Sequence, residues 1–167
     1  MATRPSRSSG LGYIGRHRYL LTLDTADQAP HFRDAGTVRR TRTLIREAAS
    51  HTAFVLCAYC FMPTRLCLLV EGESDTADLR RFVVLSKQRT AHRQRRLHAG
   101  KLWHAGYAVR RLDPLESVRQ AAGDLLRRPW QDGLVGDPRE YPFLGSDRWS
   151  VEELLDGHGS ALSTRSV

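Results

Sequence analysis

Two long stretches of this 167-residue sequence contain no acidic residue. Residues 1–18 hold four arginines and no Asp or Glu, and residues 79–112 hold ten Lys/Arg and again none. Segments 19–78 and 113–167 are net acidic, so the formal charge of +8 is gathered in blocks rather than spread. Such gathering favours a polyanionic partner, most simply the phosphate backbone of nucleic acid. A basic, soluble surface without a partner is the other reading of the same composition. The chain also lacks any apolar run near the ~20 residues that a membrane span needs. Its N-terminus, "MATRPSRSSGLG", has arginines but no apolar signal region. The expectation is a cytoplasmic protein with no membrane partner. Cysteine is scarce and odd in number: Cys57, Cys60 and Cys67 argue against a disulfide framework. "CAYC" has ligand spacing, but on a regular strand positions i and i+3 face opposite sides, which reads as core thiols rather than a zinc site. His92, His98 and His104 fit no metal spacing, and "GLG" at 10–12 has neither a strand before it nor a helix after it.

What is present reads as alternating elements. Residues 1–15 form a flexible basic arm rich in Ser, Gly and Arg. "RYLLTLDT" (18–25) is a strand, and "TVRRTRTLIREAASH" (37–51) a helix with Val38, Thr41, Leu44, Ile45 and Ala48 at helical spacing. "AFVLCAYCF" (53–61) and "RLCLLVEG" (65–72) are strands joined at Met62-Pro63. A helix follows over 74–98, capped at Ser74 or Asp75, with Leu79, Phe82, Val83 and Ser86 on one face and no apolar face beyond. "KLWHAGYAVRRL" (101–112) is a fourth strand, and 113–128 a helix ended by Pro129. In "REYPFLGS" (139–146), Tyr141, Pro142 and Phe143 anchor the chain. The order β-α-β-β-α-β-α predicts an α+β, ferredoxin-like split β-α-β sandwich with a four-stranded antiparallel sheet and an extra C-terminal helix. One sheet face is covered by helices and the other is available to a ligand. The domain reading is an arm over 1–15, a folded domain over 16–145 and a partly disordered tail over 146–167.

Four stretches, "GRHRYLLTLDTADQAPHF", "AYCFMPTRLCLLVEG", "GKLWHAGY" and "GLVGDPREYPFLGSD", together resemble the single-tyrosine HUH transposases, and within them the REP-associated tyrosine transposase branch. The similarity runs from about residue 15 to 155, with the blocks in the same order. The resemblance implies a ferredoxin-like nuclease domain that recognises hairpins in single-stranded DNA. In active members, a strand after Met-Pro carries His-apolar-His, whose imidazoles hold Mg or Mn against the scissile phosphate. A tyrosine on a later helix attacks that phosphate to give a phosphotyrosine. An amide side chain one turn beyond the tyrosine completes the metal site.

Carried over residue by residue, these positions are substituted. The two histidine positions fall on Arg65 and Cys67, which share a strand face, the tyrosine on Asp124 and the amide on Arg128. Pro129 and Gly133 persist. A guanidinium does not ligate Mg²⁺ or Mn²⁺, and a thiol suits hard cations poorly. Tyr107 or Tyr59 in place of the missing nucleophile would still lack the metal pair. The expectation is therefore no active catalytic residue, no metal and no cofactor. Arg65 and Arg128 either clamp a DNA phosphate where the cation once sat or are sealed by Asp124 through an ion pair.

The basic block supplies the remaining candidates. Arg80, Arg81, Lys87, Arg89, Arg93, Arg95, Arg96 and Lys101 lie on or just after the second helix, and Arg16 and Arg18 beside the arm. Trp103 and Tyr107 offer faces on which unpaired bases stack, with core packing the alternative for Trp103. The reading is a transposase-like protein that binds hairpin or single-stranded DNA without cutting it. Its alternatives are an active single-strand transposase with an unorthodox site and an RNA-hairpin binder. Monomer and homodimer both remain open.

Overall fold

The strands form because their apolar residues alternate or run unbroken, and pairing then sorts them into two layers. The computed structural model describes residues 12–97 and 100–157; Arg4 and Arg7 of the arm, His98 and residues 158–167 lie outside them. β1 (Arg18–Asp24) alternates strictly in burial. β2 (Phe54–Met62) and β3 (Arg65–Gly72) are buried almost throughout, as strands covered on both faces must be. With β4 (Ala108–Arg111) and β5 (Leu144–Gly145) they make a five-stranded antiparallel sheet in the order β4-β1-β3-β2-β5. The α+β class and its ferredoxin-like strand order stand as read from the sequence. The fifth strand is added by Leu144 and Gly145, which pair with Cys60 and Tyr59 on the outer edge of β2.

α1 (Ala35–His51) starts where Asp34 accepts the Thr37 amide at 2.8 Å, a side-chain cap for an otherwise orphaned donor. α1 and α2 (Leu79–Leu97) cover one sheet face. There Val38, Ile45, Phe82 and Val83 pack with Tyr19, Leu21, Leu66 and Leu68 in a first core cluster. The buried side of α2 continues past Ser86 through Thr90 and Gln94, where apolar periodicity had given out. Thr90 holds it there: its Oγ1 accepts the Trp103 indole N–H at 2.8 Å.

Three details depart from the sequence reading. The segment 101–112 is a strand only over 108–111; before it Trp103 makes an isolated bridge to Thr25. The loop is pinned by the Lys87 ammonium, which donates to the carbonyls of His104 (3.0 Å) and Gly106 (2.5 Å). The register of β2 slips between Leu56 and Ala58. This bulge adds one residue and reverses parity, so Cys57 joins Cys60 on the same face, contrary to simple alternation. Both thiols are nonetheless buried core groups. Finally, the second sheet face is not open as a whole. α3 (Val118–Leu126) and α5 (Val151–Asp156) cover its β2–β3 half through Ala122, Leu125, Leu126, Leu154 and Leu155, leaving the β1–β4 half accessible.

Residues 137–157 are fastened mainly by burial. Leu144, Leu154 and Leu155 are 8%, 1% and 6% exposed, each contributing roughly 1.5–3 kcal/mol. The partly exposed Arg46–Asp147 pair is worth about 0–1 kcal/mol. Tyr141 donates its hydroxyl to the Phe61 carbonyl at 2.6 Å, so the anchor read in "REYPFLGS" is present, joined by Phe143 against the first cluster.

At the far end of β3, a side chain on Gly72 would collide with the Gly15 carbonyl and press on Ala77 at 3.1 Å. Gly72→Ala is expected to lower the unfolding free energy by about 1–3 kcal/mol, measured by urea denaturation; an unchanged midpoint would contradict this packing.

Candidate nucleic-acid interface

Strand alternation brings one row of side chains to the second face: Thr22 of β1 stands opposite Cys67 of β3, which stands opposite Cys60 of β2. Asp24, Arg65 and Met62 form the next row toward the Pro63-Thr64 turn. Over these rows lies the end of α3. Its N-cap is Ser117, which accepts from the Gln120 amide, and the helix stops at Leu126. Arg128 and Pro129 then open a separate single turn, α4 (Arg128–Gln131). Pro129 thus begins α4 rather than ending α3, as suits a residue without an N–H in a first helical turn.

The break aims Arg128 back at the sheet, where its Nη1 donates to the Cys67 Sγ at 3.1 Å. The thiol is fully buried. Burial raises its pKa, opposed first by the charge and hydrogen bond of Arg128 and then by the charge of Arg65. The thiol therefore stays neutral and the guanidinium fills the space against it. Asp124 and Arg128 line a groove of about 800 Å³ together with Leu20, Arg110, Glu116 and Gln120. Arg110 is neutralised there by a two-point pair to Glu116, at 2.7 and 3.2 Å. Arg65 stands exposed at the start of β3, and no hydrogen bond or ion pair reaches its side chain among the described residues.

The four positions that the sequence resemblance assigned to a catalytic site thus gather on one face. The donor set does not fit a divalent cation: two of the four groups are guanidiniums, and the thiol is neutral and already in contact with one of them. Among the described residues, no group of three or more His, Cys, Asp or Glu could hold a metal ion. The two tyrosines considered as substitutes lie elsewhere. Tyr59 is buried with the first core cluster, and Tyr107 packs against that same cluster. Tyr141 packs against the second core cluster, which holds Cys60 and Cys67. Its pKa is pushed up to about 12 by burial, with smaller contributions from Cys60 and Cys67. Sequence reasoning saw it only as an anchor, and no local motif marks its position.

The basic candidates separate into several environments. Arg80, Arg81, Arg93, Arg95, Arg96 and Lys101 are exposed. Arg80 stacks over the Tyr13 ring at 4.7 Å. Arg89 lies 4.0 Å from Glu47, Arg16 pairs with Asp75 at 3.2 Å, and Arg18 donates to the carbonyls of Pro114 and Glu116. Lys87 is committed to the loop it pins, and burial lowers its pKa. Trp103 is 7% exposed and sits 5.6 Å from Phe32, which leaves no face for a base. Trp130, 51% exposed on α4, is an open indole that the sequence reading did not single out. Arg39 and Arg40 of α1 were also passed over, because they lie in a net-acidic segment and join the α2 arginines only in space.

Comparison with known proteins follows from this geometry. No protein-family model matches the chain, and no curated protein matches it. Among solved structures, the fold is similar to that of a REP-associated tyrosine transposase bound to a REP hairpin, with a TM-score of 0.70 and 13% identity over 82% of this chain and 81% of that one. It is also similar to a candidate transposase from Deinococcus radiodurans R1, with a TM-score of 0.52 and 22% identity over 64% of this chain and 87% of that one. The fold is therefore that of these transposases. No helix among the described residues is long and apolar enough to cross a membrane.

Burial raises the pKa of Cys60 and Cys67, and that of Cys57 to about 12. A thiol that ionises near 9 when unfolded but only far higher when folded favours the unfolded chain as pH rises between those values. Stability is expected to be level in this respect below pH 9 and to fall from there toward pH 12, with a shallower fall in Cys57→Ala. Denaturant midpoints across that range check it, and a slope unchanged by the substitution would contradict it.

Proposed function

We propose that this chain is a REP-associated transposase-like protein that binds hairpin DNA with single-stranded flanks and does not cut it. The observation that carries the reading is Arg128 seated on Cys67, on the face where the resemblance expects two metal-holding imidazoles and a nucleophilic tyrosine. A fixed guanidinium there repels a divalent cation and supplies no attacking oxygen. The fold shared with a transposase bound to a REP hairpin and the acid-free basic block both support binding. The hairpin is the favoured ligand on these grounds.

Within the site, Arg65 is the group available to a ligand phosphate. It is exposed, has no side-chain partner among the described residues and lies beside the accessible part of the second face. Arg128, seated on Cys67, fills the neighbouring space and keeps the local field positive. Arg110 is already engaged by Glu116 and contributes less.

Two measurements test the reading. The protein is incubated with a labelled hairpin oligonucleotide and Mn²⁺ and run on a denaturing gel; the expected result is no protein-linked DNA, and a covalent band overturns the non-cleaving assignment. Native titration at two or more salt concentrations is expected to show tighter binding to the flanked hairpin than to unstructured single strands. Arg65→Ala should lower the slope of log affinity against log salt by about 0.7, one single-strand phosphate contact. An unchanged slope removes Arg65 from the interface, and equal weak binding to hairpin DNA, duplex DNA and hairpin RNA reduces the protein to generic basicity.

A further inference from the structure

On the side of the sheet away from the Arg65 face, α1 and α2 leave a groove of about 310 Å³ between them. It is lined by Arg39, Arg40, Thr43, Leu44 and Arg93. Three arginine side chains therefore meet at one small depression, which they line chiefly with their aliphatic stems beside Leu44. A nearby carboxylate engages one of the three, Arg40, and leaves the other two unmatched. The Arg40 guanidinium donates to Thr37 Oγ1 at 3.2 Å and lies 3.9 Å from Asp34, which caps α1, while Glu47 lies toward Arg89 at 4.0 Å. The side chains of Arg39 and Arg93 have no hydrogen-bond or ion-pair partner among the described residues, and both are exposed.

Gathering three like charges against an apolar wall is unfavourable without an anion, and each extra charge raises the local positive potential. Planar guanidiniums on two adjacent helices suit backbone phosphates, since each donates two N–H groups to phosphate oxygens in a fixed fork. Arg96 follows Arg93 by three residues on α2 and is exposed, so the positive strip continues along that helix. An acidic peptide has the same sign of charge but lacks the regular phosphate spacing along a duplex.

We infer that the α1–α2 groove is a second nucleic-acid contact, which grips the phosphate backbone of a duplex such as a hairpin stem through Arg39, Arg40 and Arg93. It rests on the nucleic-acid-binding reading but is separate from the Arg65 face, because α1 and α2 lie across the sheet from α3. One chain then holds a stem on its helix layer while single-stranded flanks reach the other side. Arg39 and Arg40 act with α2 although they belong to a different, net-acidic stretch of sequence.

The test uses the full chain, a blunt duplex of the stem sequence and a series of salt concentrations. Arg39→Gln with Arg93→Gln, both at exposed positions, is expected to lower the slope of log affinity against log salt by about 1.8, two duplex phosphate contacts. Arg119→Gln, at an exposed position of α3, controls for net charge and is expected to change it little. Circular dichroism melts confirm that the variants fold. If the wild type binds the duplex but the double variant keeps its slope, or Arg119→Gln lowers it equally, the groove is overturned while hairpin binding stands. Displacement of the duplex from the wild type but not from the double variant by polyglutamate supports the site. Capture of polyglutamate in preference to duplex overturns it, and failure of the wild type to bind any nucleic acid overturns both readings.

Discussion

Period-two alternation in β3 governs where everything else goes. Leu66, Leu68 and Val70 turn to the layer beneath α1 and α2, while Arg65, Cys67 and Leu69 turn to the layer beneath α3. Because β3 is central and buried on both sides, a one-residue slip would exchange the two sets and place an arginine in the first core. The burial of Leu66, Leu68 and Leu69 on opposite faces fixes the register, and that register delivers Arg65 and Cys67 to a common face. The site is a consequence of core packing.

Arg128 arrives from the other direction. α3 ends at Leu126 and Pro129 starts a new turn, so the chain bends where Arg128 can meet the sheet. The contact joins an ordinarily soluble cation to a buried thiol. Its electrostatic effect is limited because burial still dominates the thiol's titration. Its steric effect is larger, since the guanidinium fills the space against the thiol. The adjacent groove is balanced, with Arg110 matched by Glu116, whereas the helix layer also carries arginines, Arg39 and Arg93 among them, that no acid pairs among the described residues. Charge on this protein is sorted by face as well as by sequence block.

The five-stranded sheet shows how edges are managed. An uncovered strand edge invites pairing with another chain, and β5, two residues long, occupies the outer edge of β2. Tyr141 and Phe143 fasten it from either side of the sheet, one in each core cluster. The β-bulge at Cys57 works nearby: it keeps small residues, Cys57 and Ala58, beneath the helices that cover that half of the sheet.

The sequence by itself determined the class, the strand order and the shared face of Arg65 and Cys67, because these follow from periodicities of two and 3.6 and from acid-free blocks that any folded form must place somewhere. Spacing from Met62-Pro63 and Pro129 also drew attention to Arg65, Cys67, Asp124 and Arg128, two of which, Cys67 and Arg128, are in contact. Tertiary structure alone decided the rest: that Cys57 and Cys60 share a face, that Trp103 is core and Trp130 open, that Tyr141 lies near Cys67, and that Arg39 and Arg40 stand with Arg93. Each of those depends on a bulge or on packing between distant segments. Local pattern does not encode such relations, which arise when two surfaces are brought together and only one arrangement buries their apolar groups.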